Sequence, residues 1–149
     1  MDYLLTIYNI GFIQDVGEHG AVGFSAYATS EEQCNDGDKI IFDAIVSNIG
    51  NHYNTDTYKF TCPYHGLYLF NVNIVAYHSN QMVVQIVHEN TDLLGGYTYP
   101  DHYETGSATV VTECKAEESV WVRCDDIDNA MHAGSRFSHF TGTLIQAYI

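Results

Sequence analysis

Apolar and polar residues alternate with a period of two along most of this chain, and that pattern constrains its fold more than any other feature. In GLYLFNVNIVAY, Tyr68, Phe70, Val72, Ile74 and Ala76 fall on one side while Asn71 and Asn73 fall on the other. This is the mark of a long strand with one core-facing side. Similar runs occur in VGFSAYA, KIIFDAIV, QMVVQIVH, SATVVTEC, SVWVRC and HFTGTLIQAY. Between them lie CNDGDK, SNIGN, CPYHG, YHSN, LLGGYTYPDHYETG and DDIDNAMHAGS, which supply the Gly, Asn, Asp and Ser that turns require. Many short strands with no helical periodicity between them indicate an all-β antiparallel sandwich or jelly roll.

A chain of 149 residues fits one domain and is large enough to bury a core without help from a metal or a disulfide. Five Lys plus Arg stand against 19 Asp plus Glu, for a net charge of −14. That balance excludes a phosphate backbone as partner and leaves carboxylates suited to a hard cation. No apolar run reaches the ~18 to 20 residues of a membrane helix, so membrane insertion is not expected. The opening MDYLLTIYNIGFI lacks a basic stretch and a small-residue cleavage site and does not read as an intact signal peptide. Residues 1–20 instead read as an N-terminal segment, either an extra strand or an oligomerisation element, ahead of a globular domain at 21–149. Cys34, Cys62, Cys114 and Cys124 include no C-x-x-C pair, which argues against a zinc ribbon or thioredoxin-type site. Cys114 and Cys124 flank an expected hairpin, CKAEESVWVRC; they either face each other in a disulfide or remain buried free thiols.

The segment from Phe42 onward carries a more specific pattern. Phe42, Asn48, Tyr53, Phe60, Gly66, Tyr68 and Phe70 resemble the signature of the globular head domain of the C1q family, with Val72 standing where that signature has Phe or Tyr. Near the C-terminus, SRFSHFTGTLI resembles the family's closing strand through Phe140, Gly142 and Leu144. Val120, Trp121 and Val122 resemble the apolar stretch between them, with Glu118 and Ser119 replacing the usual Gly-Asp of its turn. The resemblance covers about residues 21 to 149. It implies a ten-stranded jelly roll of the kind shared with tumour necrosis factor ligands, and a trimeric assembly. The same resemblance implies a secreted, non-enzymatic protein.

Two segments concentrate candidate ligand-binding groups. LLGGYTYPDHYETG carries Tyr97, Tyr99, Asp101, His102 and Tyr103; phenol rings offer flat faces to a sugar ring, while carboxylate and imidazole bond its hydroxyls. This region also resembles the place where some family members hold calcium, with Asp92 and Asp101 the nearest carboxylates. DDIDNAMHAGSR gathers Asp125, Asp126, Asp128 and Asn129. It fails as an EF-hand at Ala130 and Met131, so it reads as a non-EF calcium loop or as an ordinary acidic turn. Asn129 suits sugar hydroxyls, and His132 with Arg136 suits an acidic sugar. No G-x-S-x-G, H-E-x-x-H or phosphate-cradling glycine loop is present, so catalysis is not expected.

The resulting expectation is a secreted homotrimer that binds carbohydrate or microbial surface patterns through apical loops, with calcium as a candidate cofactor. The alternative is a trimeric extracellular ligand or scaffold that engages a protein receptor without sugar recognition.

Overall fold

The computed structural model describes residues 19–76, 81–99, 104–125 and 130–149. The expected N-terminal element therefore lies almost wholly outside the described residues. Two five-stranded antiparallel sheets face each other. The first runs in the order β3 (Ala44–Ile49), β1 (Gly23–Tyr27), β12 (His139–Ala147), β6 (Gly66–Val75), β9 (Thr105–Cys114). The second runs β4 (Tyr53–Asn54), β5 (Lys59–Thr61), β10 (Ser119–Cys124), β7 (Met82–His88), β8 (Thr91–Thr98). A short ladder of β2 (Glu32–Cys34) with β11 (Ala130–His132) sits beside them. The expected ten-stranded jelly roll is thus present as the two main sheets.

Burial follows the alternation of the sequence. Along β6, Tyr68, Phe70, Val72 and Ile74 are fully buried while their neighbours are only partly covered. The rings of the sequence signature form the centre of the core: Phe42, Phe60, Tyr68 and Phe70 are completely enclosed, and Tyr53 nearly so. Phe24 stacks on Tyr53 and Phe60 with ring centroids 4.8 and 5.0 Å apart, and meets Phe140 edge-on at 4.9 Å. Each such pair contributes roughly 0.5–1.5 kcal/mol beyond its buried area. Gly142 makes room for this cluster, since a Cβ there would lie 2.5 Å from the Phe24 ring and 2.6 Å from that of Phe70. The Tyr53 hydroxyl donates to the Phe42 carbonyl at 2.8 Å, which satisfies its one polar atom, and burial pushes its pKa well above the ordinary phenol value.

The cysteines depart from the hairpin reading. Cys114 ends β9 in the first sheet and Cys124 ends β10 in the second, so the chain between them crosses the sandwich and no hairpin exists. Cys114 bonds Cys62 and Cys124 bonds Cys34, with Cα atoms 6.5 and 6.2 Å apart. The loops closed span 52 and 90 residues of sequence separation, and a chain-entropy account gives roughly 4 kcal/mol for each.

LLGGYTYPDHYETG is a second departure, because its first half is strand β8 rather than loop. Gly95 and Gly96 read as turn residues, yet they mark close approach. A Cβ on Gly95 would meet the Val84 carbonyl oxygen of β7, and one on Gly96 would lie 3.0 Å from the Gly106 backbone of β9. The edges of the two sheets come together there without side chains between them.

Candidate functional site

The two segments singled out in the sequence meet at one end of the sandwich, where β6 ends and β9 begins. Val75 and Thr105 are paired across those strands. The stretch between β11 and β12 is strapped over them: the Ala133 N–H donates to the Val75 carbonyl at 2.8 Å, the Val75 N–H to Ser138 Oγ at 3.1 Å, and Asn73 Nδ2 to the Phe137 carbonyl at 3.2 Å. Between the strap and the strand ends lies a cavity of about 550 Å³. Its walls are Val75 and Thr105 on one side, Ala133 to Ser135 and Phe137 on the other, with Glu31 at the rim.

This arrangement combines an apolar ring with hydroxyl and carboxylate groups. Phe137 leaves 63% of its surface exposed, an apolar plate with no core role. Thr105 and Ser135 bring hydroxyls and Glu31 a carboxylate, all able to bond sugar hydroxyls. The backbone is held in an uncommon conformation, since Ser135 and Arg136 carry φ angles of 52° and 74°. Left-handed backbone at two successive non-glycine residues costs about 1–3 kcal/mol each.

Tyr97 and Tyr99 stand on the adjoining edge, 47% and 65% exposed, with rings edge-on at 5.1 Å. The Tyr99 N–H donates to the Glu104 carboxylate at 2.8 Å, and the Glu104 carbonyl accepts from Ala76 N–H at 2.9 Å. The tyrosine edge is thereby tied to the residue that precedes Thr105. Arg136 lies against Tyr27, its guanidinium carbon 5.1 Å from the ring centre, beside Phe137. Asp101, His102, Tyr103 and Asn129, together with Asp126 and Asp128, lie outside the described residues.

His132 does not present itself to a ligand. It is fully enclosed in β11, with Nδ1 facing the Ala133 carbonyl at 3.4 Å and Nε2 without a hydrogen-bond partner. Burial pushes its pKa below the ordinary imidazole value, against the opposing pull of the Ala133 carbonyl, Glu32 and Asp43. A three-residue strand paired through Ala130, Met131 and His132 is too short to announce itself in the sequence, so the histidine read there as loop.

The carboxylates expected to hold calcium are differently engaged. Asp92 lies at the start of β8, about 20 Å along the strand from Thr98 at ~3.3 Å per residue. Arg123 donates to Asp92 at 2.9 Å and to Asp125 at 3.3 Å, and these hydrogen bonds raise its own pKa, with Asp92 the larger cause. A guanidinium occupies the place between these two carboxylates that a cation would take, so this pair does not fit calcium. Sequence reasoning missed Glu31, Val75, Thr105 and Phe137. Only Phe137, an apolar residue directly after the GSR turn, carried a signal.

Residues 23–145 match the family model described as C1q domain. Among curated proteins, a complement C1q subcomponent of Mus musculus is 29% identical over 108 residues, covering 70% of this chain and 42% of that protein. Complement C1q tumor necrosis factor-related protein 3 of Homo sapiens is 28% identical over 110 residues, covering 71% and 44%. The chain thus matches less than half the length of these relatives. Among solved structures, the globular domain of zebrafish complement 1qA superposes with a TM-score of 0.73 at 16% identity, covering 85% of this chain and 99% of that one. Murine APRIL gives 0.70 at 11% identity, with 85% and 100% covered.

Proposed function

Since the chain belongs to the C1q domain family, we propose that it is a secreted, non-enzymatic recognition module that binds carbohydrate on microbial surfaces as a homotrimer. The observation that carries this reading is the cavity of about 550 Å³, which draws its walls from both segments that the sequence marks as ligand-binding. A sugar ring stacks on Phe137, and Thr105, Ser135 and Glu31 orient its hydroxyls. Tyr97 and Tyr99 extend the surface for a second unit, and Arg136, held against Tyr27 next to Phe137, meets an acidic one. Both pairs of cysteines are bonded, as in proteins of oxidising compartments. No helix among the described residues is long and apolar enough to cross a membrane.

Assembly is argued from the outer face of the first sheet. Ile49, Gly23, Thr143, Leu69 and Val111 lie in one lateral row across all five strands. Ile49 and Val111 are 54% and 53% exposed at its ends. With Ile49, Leu69 and Val111 as its apolar side chains, this row on an otherwise acidic protein suits a contact between copies. Three copies also repeat the cavity three times, and avidity of ~10²–10⁴ then strengthens weak single contacts.

A glycan array probed with the purified protein, in calcium and again in EDTA, tests the reading. Defined binding that survives EDTA is expected, since the Asp92 and Asp125 carboxylates are already held by Arg123. Binding lost in EDTA places calcium on other carboxylates. A blank array together with capture of a protein receptor supports the second reading, a trimeric ligand; the exposed Ile45 and Val46 of edge strand β3 favour that alternative.

A further inference from the structure

Far from the cavity, at the opposite end of the sandwich, side chains from three elements converge. His88 ends β7, Cys114 ends β9, and Glu118 closes the turn into β10. His88 Nε2, Cys114 Sγ and a Glu118 carboxylate oxygen all lie within 4.8 Å of one another. The imidazole nitrogen is 2.7 Å from Glu118 Oε2 and 3.6 Å from the sulfur. Cys62 brings a fourth donor through its bond to Cys114. Both cysteines are buried, while His88 and Glu118 side chains are 17% and 31% exposed, which leaves a route from solvent.

The backbone fixes these donors independently of the sulfur–sulfur bond. The Cys62 N–H donates to the Glu118 carbonyl and the Glu117 N–H to the Cys62 carbonyl, both at 2.8 Å. The Lys115 N–H donates to the Glu118 carboxylate at 2.8 Å. Cys114 is paired with Gly66 and His88 with Val120 in their ladders. Opening the disulfide therefore leaves the Cys114 sulfur, the His88 nitrogen and a Glu118 oxygen within 4.8 Å of one another, with the Cys62 sulfur released beside that of Cys114. Thiolate and imidazole with a single carboxylate make up a zinc-type donor set.

We propose that reduction of the Cys62–Cys114 disulfide opens a zinc-class metal site formed by Cys62, Cys114, His88 and Glu118. Two equivalents of a thiol reductant supply the two electrons: the Cys62–Cys114 bond breaks, a reductant disulfide forms, and each cysteine gains a proton. Metal binding then releases those two protons to solvent as both sulfurs coordinate as thiolates. Ligand distances of about 2.0–2.3 Å require His88 and Glu118 to separate slightly and the sulfurs to move apart, which side-chain rotation accomplishes. The ion joins the two sheets where the disulfide joined them, so the cross-link survives reducing conditions. In the oxidised protein the sulfurs are committed to each other and the site is closed.

Cobalt(II) is the probe, added to protein reduced with a phosphine and to oxidised protein, with thiolate-to-cobalt charge-transfer absorption as the readout. The reduced protein is expected to bind one ion with tetrahedral spectra, displaced by zinc, and the oxidised protein none. His88→Ala and Glu118→Gln are expected to weaken binding by at least about tenfold, while Cys34→Ser/Cys124→Ser leaves it unchanged. Cys62→Ser provides a second route, freeing the Cys114 thiol without reductant and with the other disulfide intact; weaker cobalt binding through one thiolate is expected. Absorption that follows Cys34 and Cys124, or that is indifferent to His88, overturns the proposal. So does its absence from both the reduced protein and Cys62→Ser. If reduction unfolds the protein, zinc is expected to restore its β-sheet circular dichroism, and failure to do so also overturns it.

Discussion

The Asn48 side chain clasps the main chain of Tyr53 at two points, its Nδ2 donating to the Tyr53 carbonyl at 2.8 Å and its Oδ1 accepting from the Tyr53 N–H at 3.1 Å. This closes the β3–β4 turn and sets the Tyr53 ring against Phe24. Asn48→Ala leaves both main-chain groups unpaired in a partly buried place and is expected to cost about 1–3 kcal/mol, read by urea denaturation. Asn48→Asp keeps the acceptor and loses the donor, so its cost falls between wild type and Ala. Equal stability of all three would show that the clasp is not structural.

The row from Ile49 to Val111 predicts the assembly. Val111→Arg places a charge on the proposed contact between copies, and sedimentation equilibrium is expected to show a trimer for the wild type and a monomer for the variant. The monomer should keep its thermal transition, because Val111 already stands half-exposed on the outer face. A variant that stays trimeric places the contact elsewhere, and a monomeric wild type contradicts the trimer.

Acid should weaken the domain through His132. Its folded pKa lies below the ordinary 6.5, chiefly because burial disfavours the imidazolium. As pH falls below that value the unfolded chain takes up the proton before the folded one, so stability drops; above it the full contribution is present. The thermal midpoint is expected to fall between pH 7 and pH 5, and His132→Leu should lose that part of the fall. An unchanged slope in the variant assigns it to another group.

The disulfides give a direct chemical test. Non-reducing peptide mapping should recover Cys34 with Cys124 and Cys62 with Cys114, and no peptide joining Cys114 to Cys124. Removal of either pair by double serine substitution should cost about 2–5 kcal/mol. A cost near zero would show that closing these long loops adds nothing to stability.

The legible part of the sequence was whatever repeats on a local period. Alternation in GLYLFNVNIVAY correctly assigned the buried face of β6, and the spacing from Phe42 to Phe70 picked out rings that the structure packs together. Features that depend on which strands become neighbours were not legible. Cys114 and Cys124 are near in sequence but end strands in different sheets, and nothing local distinguishes a hairpin from a crossing. Gly95 and Gly96 look the same in sequence whether they turn a chain or admit a neighbouring backbone. The candidate site shows the same limit. Tyr97, Tyr99 and Arg136 stand at the surface, His132 is enclosed, and the cavity itself is made by Val75, Thr105 and Phe137, which are ordinary residues until β6, β9 and the strap meet.

The most direct test of sugar recognition at this cavity is a backbone amide NMR titration with the glycan that binds best on the array. Saturable shifts are expected at Thr105, Ser135 and Phe137, with smaller ones at Tyr97 and Tyr99, and those shifts should vanish in Phe137→Ala while the rest of the spectrum is unchanged. Shifts confined to another face, or no glycan that produces any, would contradict sugar binding at this cavity.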